Sequence, residues 1–302
     1  MSFDFGTFKR HSAKLAWDDL DLAGFAHGPL PDSSLRCLRF MHDIEYHTIC
    51  YLRDLLVTPA HADPEVTAFL SCWAYEEHWH GEALAAVLAA HGEVAGAERI
   101  GGHRAGLGWR DRVRPLLMTV GAGTAGRDFM AVQMTWGAIN EWSTQAGYAQ
   151  LARRSDHPVL STLLGRIMRQ EGRHIDFYAT QAGMRLAASA RARRLTRLAL
   201  RHLWHPVGAG VMPPAETDFM IGHLFGDDDG LGIARRIDRR VDRLPGLAGL
   251  GLLENTRATA LRRAAAGCPD QSRSRRRAAA AVMSSMISRA GRTPLMAPAP
   301  VP

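Results

Sequence analysis

Residues 73–84 read WAYEEHWHGEAL, which sets three carboxylates and two histidines within about three helical turns. A solvated helix face can carry such residues, and so can a helix that aims a subset of them inward to hold something. Glu77 and His80 form Glu-x-x-His, a spacing that puts both side chains on one helix face. One such pair says little. With 11 glutamates and 14 histidines in 302 residues, shuffling yields about 0.5 of them. The chain has a second pair, Glu171 and His174, and each pair follows a segment carrying a glutamate on its apolar face, Glu45 before the first and Glu141 before the second.

The heights agree as well. Glu45 lies 13 residues before Thr58 and Glu77 lies 13 after Pro64, the two ends of a turn, while Glu141 is 14 before Ser155 and Glu171 is 14 after His157. At about 1.5 Å per residue, the members of each hairpin stand level, near 20 Å from their turn. Strand signals are nearly absent, and apolar residues recur at three- and four-residue steps over 33–56, 65–91, 128–154 and 158–186. The expectation is an all-α chain: a ferritin-like four-helix bundle with a di-metal site over 33–187, after an N-terminal segment 1–32. The linkers are "TPAHADP" (58–64), a long Gly-rich connection (92–127) and "SDHP" (155–158), with Asp63-Pro64 and the stretch from Asp156 to Pro158 reading as helix starts. A basic helical extension, 188–293, is expected to pack on the bundle, and 294–302 to form a flexible tail.

The charged residues interrupt the apolar stripes instead of lying opposite them. The second stripe runs Val66, Phe69, Leu70, Trp73, Glu77, His80, Leu84, and the fourth runs Leu160, Leu163, Leu164, Ile167, Glu171, His174, Tyr178. The first includes Leu35, Leu38, Glu45, Ile49, Leu52 and Leu56; the third includes Met134, Ala138, Glu141, Gln145, Tyr148 and Leu151. Glu77 and His80 therefore point inward and Glu82 and His78 outward, while Glu76 stays undecided. Burying four carboxylates without cations costs several kcal/mol each and drives most of them neutral. Bound cations remove that penalty. Four oxygen donors and two imidazoles suit a pair of iron ions, or manganese, better than copper or structural zinc, and a glutamate from each of two helices with Glu-x-x-His from each of the other two is the ferritin-like di-iron arrangement. The ordinary alternative, a set of buried ion pairs, lacks an arginine on any of the four stripes.

The same residues resemble the soluble acyl-carrier-protein desaturases, whose Trp-x-x-Glu-Glu-x-x-His-Gly-Asp-x-Leu is met here by Trp73, Glu76, Glu77, His80, Gly81 and Leu84, with Glu82 for the aspartate. The second half is similar too, since EWSTQAGYAQLARRSDHPVLSTLLGRIMRQEGRH (141–174) reproduces Glu-x-x-Thr followed about thirty residues later by Glu-x-Arg-His. The resemblance implies two iron ions bridged by Glu77 and Glu171, with Glu45 and Glu141 terminal and His80 and His174 each giving one nitrogen. It implies Thr144 beside the oxygen-binding face, dioxygen as oxidant, an external electron donor such as ferredoxin, a homodimer, and hydrogen abstraction from an acyl chain on an acidic carrier protein. The supporting positions are Glu76, Gln170 and Trp73; Tyr148 and Tyr178, on the ligand faces, read as redox-active groups or as core residues with tethered hydroxyls. Gln170 stands where the family places an acid, and an amide accepts a hydrogen bond without relaying a proton as an acid does. His42, one turn before Glu45, is a candidate seventh ligand. Ile167 stands where di-iron N-oxygenases carry an extra histidine. The same six ligands also suit a hydroxylase or N-oxygenase on a small biosynthetic substrate, or a ferroxidase.

Composition adds boundaries. Four cysteines, Cys37, Cys50, Cys72 and Cys268, show no ligand spacing and read as reduced packing residues. There is no leader-like start and no run of eighteen apolar residues, so a cytoplasmic protein without a membrane span is expected. The net charge of +7 is carried by arginine, concentrated in 191–201, 234–243 and 271–280. It suits an acidic partner weakly, and no aromatic interleaving or reading motif supports nucleic acid.

Overall fold

The computed structural model describes residues 3–107 and 109–266. Over that range the chain is helical, with an isolated bridge between Ala209 and Met212 as the sole strand-like pairing among the described residues. The helices are α1 (Phe5–His11), α2 (Asp32–Leu56), α3 (Pro64–Ala90), α4 (Gly96–Gly106), α5 (Trp109–Ala125), α6 (Phe129–Ser155), α7 (Pro158–Ala188), α8 (Ala190–Leu203), α9 (Pro214–Phe225), α10 (Asp228–Asp242) and α11 (Leu252–Ala265). None is both long and apolar enough to cross a membrane.

The four longest helices match the four periodic segments within two residues at each end, and they pack as two hairpins, α2 on α3 and α6 on α7. The hairpins meet through α2 with α6 and α3 with α7. The first turn forms as its sequence requires: Pro64 opens α3 and the Asp63 carboxylate accepts the Glu65 and Val66 N–H groups. The second differs from expectation. Asp156 does not cap α7; it closes α6 in the left-handed region at φ 45°, and His157 precedes Pro158 without a side-chain cap. A linker of two residues must reverse the chain at once, and aspartate tolerates that conformation better than most residues.

Two further expectations need correction. The stretch 92–127 is not a long open connection but holds α4 and α5, followed by a 3₁₀ turn at Gly126–Asp128. Its glycines dilute the apolar period, yet Ile100 is buried and Arg99 fastens α4 to Asp43 of α2 through two contacts of 2.7 Å. Ile49 and Leu56, assigned to the inner stripe of α2, are 52% and 40% exposed. Leu56 is the last residue of α2, and Ile49, one turn beyond Glu45, is not covered by a neighbouring element among the described residues.

The remaining elements close the bundle from two sides. α1 packs on α3, with Phe8 buried among Phe69 and Phe177. α8 packs on α6 and α7, and α9 and α10 lean on α6 and on α11. Their apolar residues, Met220, Leu224, Ile237 and Val241 among them, are buried. The helical pieces of the basic segment thus pack on the bundle as far as Ala266; the arginine run at 271–280, Cys268 and the expected tail at 294–302 lie outside the described residues. Cys37, Cys50 and Cys72 are free thiols, and burial pushes the Cys37 thiol up to about 12.

Candidate metal centre

Glu45 projects from α2, Glu77 and His80 from α3, Glu141 from α6, and Glu171 and His174 from α7, and none is more than 7% exposed. They form two overlapping groups. In each group every residue offers a ligand atom within 4.8 Å of the others: Glu45, Glu77, His80 and Glu171 in one, Glu77, Glu141, Glu171 and His174 in the other. Both groups could hold a metal ion. Glu77 and Glu171 belong to both, and each turns one oxygen toward each imidazole: Glu77 lies 3.3 Å from His80 Nδ1 and 3.0 Å from His174 Nδ1, Glu171 3.4 Å and 3.2 Å. These two carboxylates span both imidazoles and would be the donors shared by the two groups if each held an ion.

The far nitrogens of the histidines are held from behind. His174 Nε2 lies 2.7 Å from Glu76, which also takes the Arg173 guanidinium at 2.6 Å. His80 Nε2 lies 2.8 Å from the Gln170 carbonyl oxygen, and the Gln170 amide donates at 3.0 Å to the Ala13 carbonyl. Glu76, undecided from sequence, is therefore fully buried and supports the opposite hairpin. The Trp73 indole donates to Glu141 at 3.1 Å, and the Tyr148 hydroxyl donates to Glu45. Tyr178 packs edge-on against Phe69 and Trp73. Phe8 and Phe69 stand edge-on to His174, so the surroundings are dry. Gly81, next to His80, is required by packing: a Cβ there would meet the Tyr46 ring at 2.8 Å.

Not every polar neighbour joins the cage. His42 accepts the Gly96 N–H at 3.0 Å and faces Asp43 at 2.9 Å, so both of its nitrogens are committed to anchoring α4 and it is no seventh ligand. Glu82 accepts the Tyr46 hydroxyl and His78 is half exposed, both away from the centre.

Without cations the cage neutralises itself differently from the expectation that most of its acids turn neutral. Burial, reinforced by the charge of Glu77, drives Glu45 well above the usual carboxylate range, and burial with Glu171 and Glu77 does the same to Glu141. Burial also pushes on Glu77 and Glu171, but hydrogen bonds from the imidazoles, and for Glu77 from Glu45, hold both below it. Burial opposes the charge on His80, yet its contacts with Glu171 and Glu77 outweigh that and raise it to about 10; His174 moves the same way. The shifts run toward protonated Glu45 and Glu141 and toward ion pairing of His80 and His174 with Glu77 and Glu171. The donor set fits cations in place of those protons: four carboxylates balance two divalent ions, the Nδ1 atoms face inward, and Glu171 Oε1 is buried without a hydrogen bond.

An apolar cavity of about 110 Å³ lies against the centre. Met41, Glu45, Thr144 and Tyr148 form its bundle wall, and Met220 and Leu224 of α9 face them. One water needs only ~10–15 Å³, so the space admits a short apolar chain. Thr144 lines this cavity three residues after Glu141 on α6.

Sequence reasoning missed Arg173, although it is the arginine of Glu-x-Arg-His, and it missed Ala13 and Phe8, which act through a backbone carbonyl and a ring edge and carry no spacing signal. Comparison with known proteins finds no family model, curated protein or solved structure that matches the chain.

Proposed function

We propose that this protein is an O2-dependent oxidase with a ferritin-like di-metal centre, two iron ions by preference and manganese as the alternative, acting on an unactivated C–H bond of an apolar, acyl-like chain. The observation that supports the reading is the junction of two features: six buried carboxylate and imidazole side chains, with Glu77 and Glu171 common to both groups, and an apolar cavity that has Glu45 and Thr144 in its wall. When bound, the ion pair supplies the capacity to reduce dioxygen.

The chain's own residues do the rest. Glu45, Glu77, Glu141, Glu171, His80 and His174 would hold the ions, and binding would require the protonated acids and imidazoles among them to give up their protons. Trp73 and Tyr148 each give a hydrogen bond to a terminal carboxylate and fix its rotamer. The cavity wall excludes water and holds the substrate chain by contact, while the Thr144 hydroxyl is a polar group on the same wall as Glu45. Desaturation balances as one dioxygen, two substrate hydrogens, two donor electrons and two protons giving an alkene and two waters. An external electron donor is therefore required, and a ferredoxin-like protein fits.

The test is turnover of the iron-loaded protein with a chemical or protein reductant, dioxygen and a series of acyl substrates, free and carrier-bound, read by mass. A product lighter by two hydrogens supports desaturation; one heavier by an oxygen moves the assignment to hydroxylation or N-oxygenation. Cage-sized particles with Fe(II) oxidation and no organic product identify a ferroxidase instead.

A further inference from the structure

α10 reads DDGLGIARRIDRRVD, with Ala234, Ile237 and Val241 buried and the arginines on its other faces. Arg236, Arg239, Arg240 and Arg243, which follow one another at helical spacing, are solvent-exposed and line an open groove of about 880 Å³ between α10 and the bundle, whose wall also carries Arg153 and the carboxylates Asp228 and Asp229. Its opposite wall is α6, with Trp142 and Gln150, and an adjoining hollow of about 700 Å³ continues it over α7, past Arg169 and Arg173.

Three independent features mark this groove as more than a charged surface. Among the described residues, Arg169, Arg236, Arg239, Arg240 and Arg243 form no ion pair, although Arg153 and Arg173 nearby and Arg235 on the same helix all do. Gln150 lines the groove while only 2% exposed; its carbonyl oxygen accepts from Arg153, and its amide nitrogen is buried with no partner. An orphaned buried donor costs about 1–3 kcal/mol, so something is expected to accept from it. Finally, Arg240 lies 5.8 Å over the buried Trp142 ring, and both residues line the groove.

We propose that the groove is a binding site for a small molecule carrying two or more phosphate groups. Arginine forks match phosphate oxygens in pairs, and the row from Arg236 to Arg243 extends about 10 Å along the helix, more than a single phosphate covers. A nucleic-acid strand would call for exposed aromatic stacking platforms, and Trp142 is buried. A protein partner would call for a flatter face than this hollow. The site is separate from the metal cage and needs no metal, but it borders it, because Arg173 both lines the hollow and holds Glu76 behind His174.

Calorimetric titration of the full chain, stripped of metal, with inorganic tripolyphosphate at about 0.15 M salt tests this. The expected result is one saturable site per chain. Its affinity falls at least tenfold when Arg236→Glu and Arg240→Glu are combined and several-fold in Gln150→Glu, while Arg201→Glu, an exposed arginine on α8, changes it less than twofold. Thermal melts check that each variant is folded, and if the double variant is not, Gln150→Glu decides alone. Binding with many sites per chain, equal weakening by Arg201→Glu, no saturable binding, or tighter binding of duplex DNA or polyglutamate than of tripolyphosphate would overturn the proposal.

Discussion

The two hairpins deliver the same set of ligands, one glutamate from α2 or α6 and Glu-x-x-His from α3 or α7, yet they support them unequally. Behind His174 stands a buried carboxylate, Glu76, locked by Arg173; behind His80 stands a neutral amide, Gln170, tied to the N-terminal segment at Ala13. An anionic partner makes an imidazole a stronger donor than an amide does. By their residues alone the two candidate groups look equivalent, and their supports make them unequal: if both hold an ion, the group of Glu77, Glu141, Glu171 and His174 should bind more tightly than that of Glu45, Glu77, His80 and Glu171.

The largest expected effect breaks both halves together. Glu171→Ala removes a carboxylate shared by both positions, and metal analysis after reconstitution should find neither ion retained; retention of one would mean that Glu171 does not bridge. Next comes the difference itself. Glu76→Gln makes the two halves alike, and titration with Fe(II) or Mn(II) should show the tighter site weakened about 10- to 100-fold, with the weaker one little changed. Gln170→Glu should act oppositely, tightening the weaker site, and by less, since the side-chain amide it replaces is bonded to His80 and the Ala13 carbonyl and to no arginine among the described residues.

A third prediction uses pH. In the unfolded chain an imidazole gives up its proton near 6.5, whereas folded, metal-free His80 keeps it to about 10, and His174, Glu45 and Glu141 are displaced in the same upward direction. Their contribution is full below the unfolded value and is lost as pH rises toward the folded one, at up to about 1.4 kcal/mol per unit for each group. Between pH 6.5 and 10 the melting temperature of metal-free protein should fall, and the gain on adding metal should grow, because loading displaces those same protons. A flat or rising metal-free curve would contradict the protonation pattern described above. The smallest effect is Trp73→Phe, which removes one hydrogen bond to Glu141 and should cost about 1 kcal/mol, read as a modest loss of affinity at the tighter site alone.

How much of this was legible beforehand differs between the hairpins and everything around them. Long apolar stripes broken by acids and histidines define both the helices and the cage, because periodicity and ligand chemistry are local properties of the sequence. The level placement of Glu45 with Glu77, and of Glu141 with Glu171, needs only residue counts and a rise per residue. The helices within 92–127 were hidden by glycines that thin out the pattern. The cavity was hidden for another reason: Met220 and Leu224 are ordinary apolar residues of a short amphipathic helix, and only their position opposite Met41 and Thr144 makes a chamber of them. Ile49 and Leu56 lie on the side of α2 that periodicity marks as inward, but burial also needs a neighbour to cover that side, which periodicity does not encode.

Anomalous diffraction at the iron edge from crystals of the reconstituted protein would examine the six-residue centre most directly. Two peaks are predicted per chain, both within bonding distance of Glu77 and Glu171, one beside His80 and the other beside His174. A single peak, peaks at the surface, or a fully soaked crystal with no metal among these six side chains would contradict it.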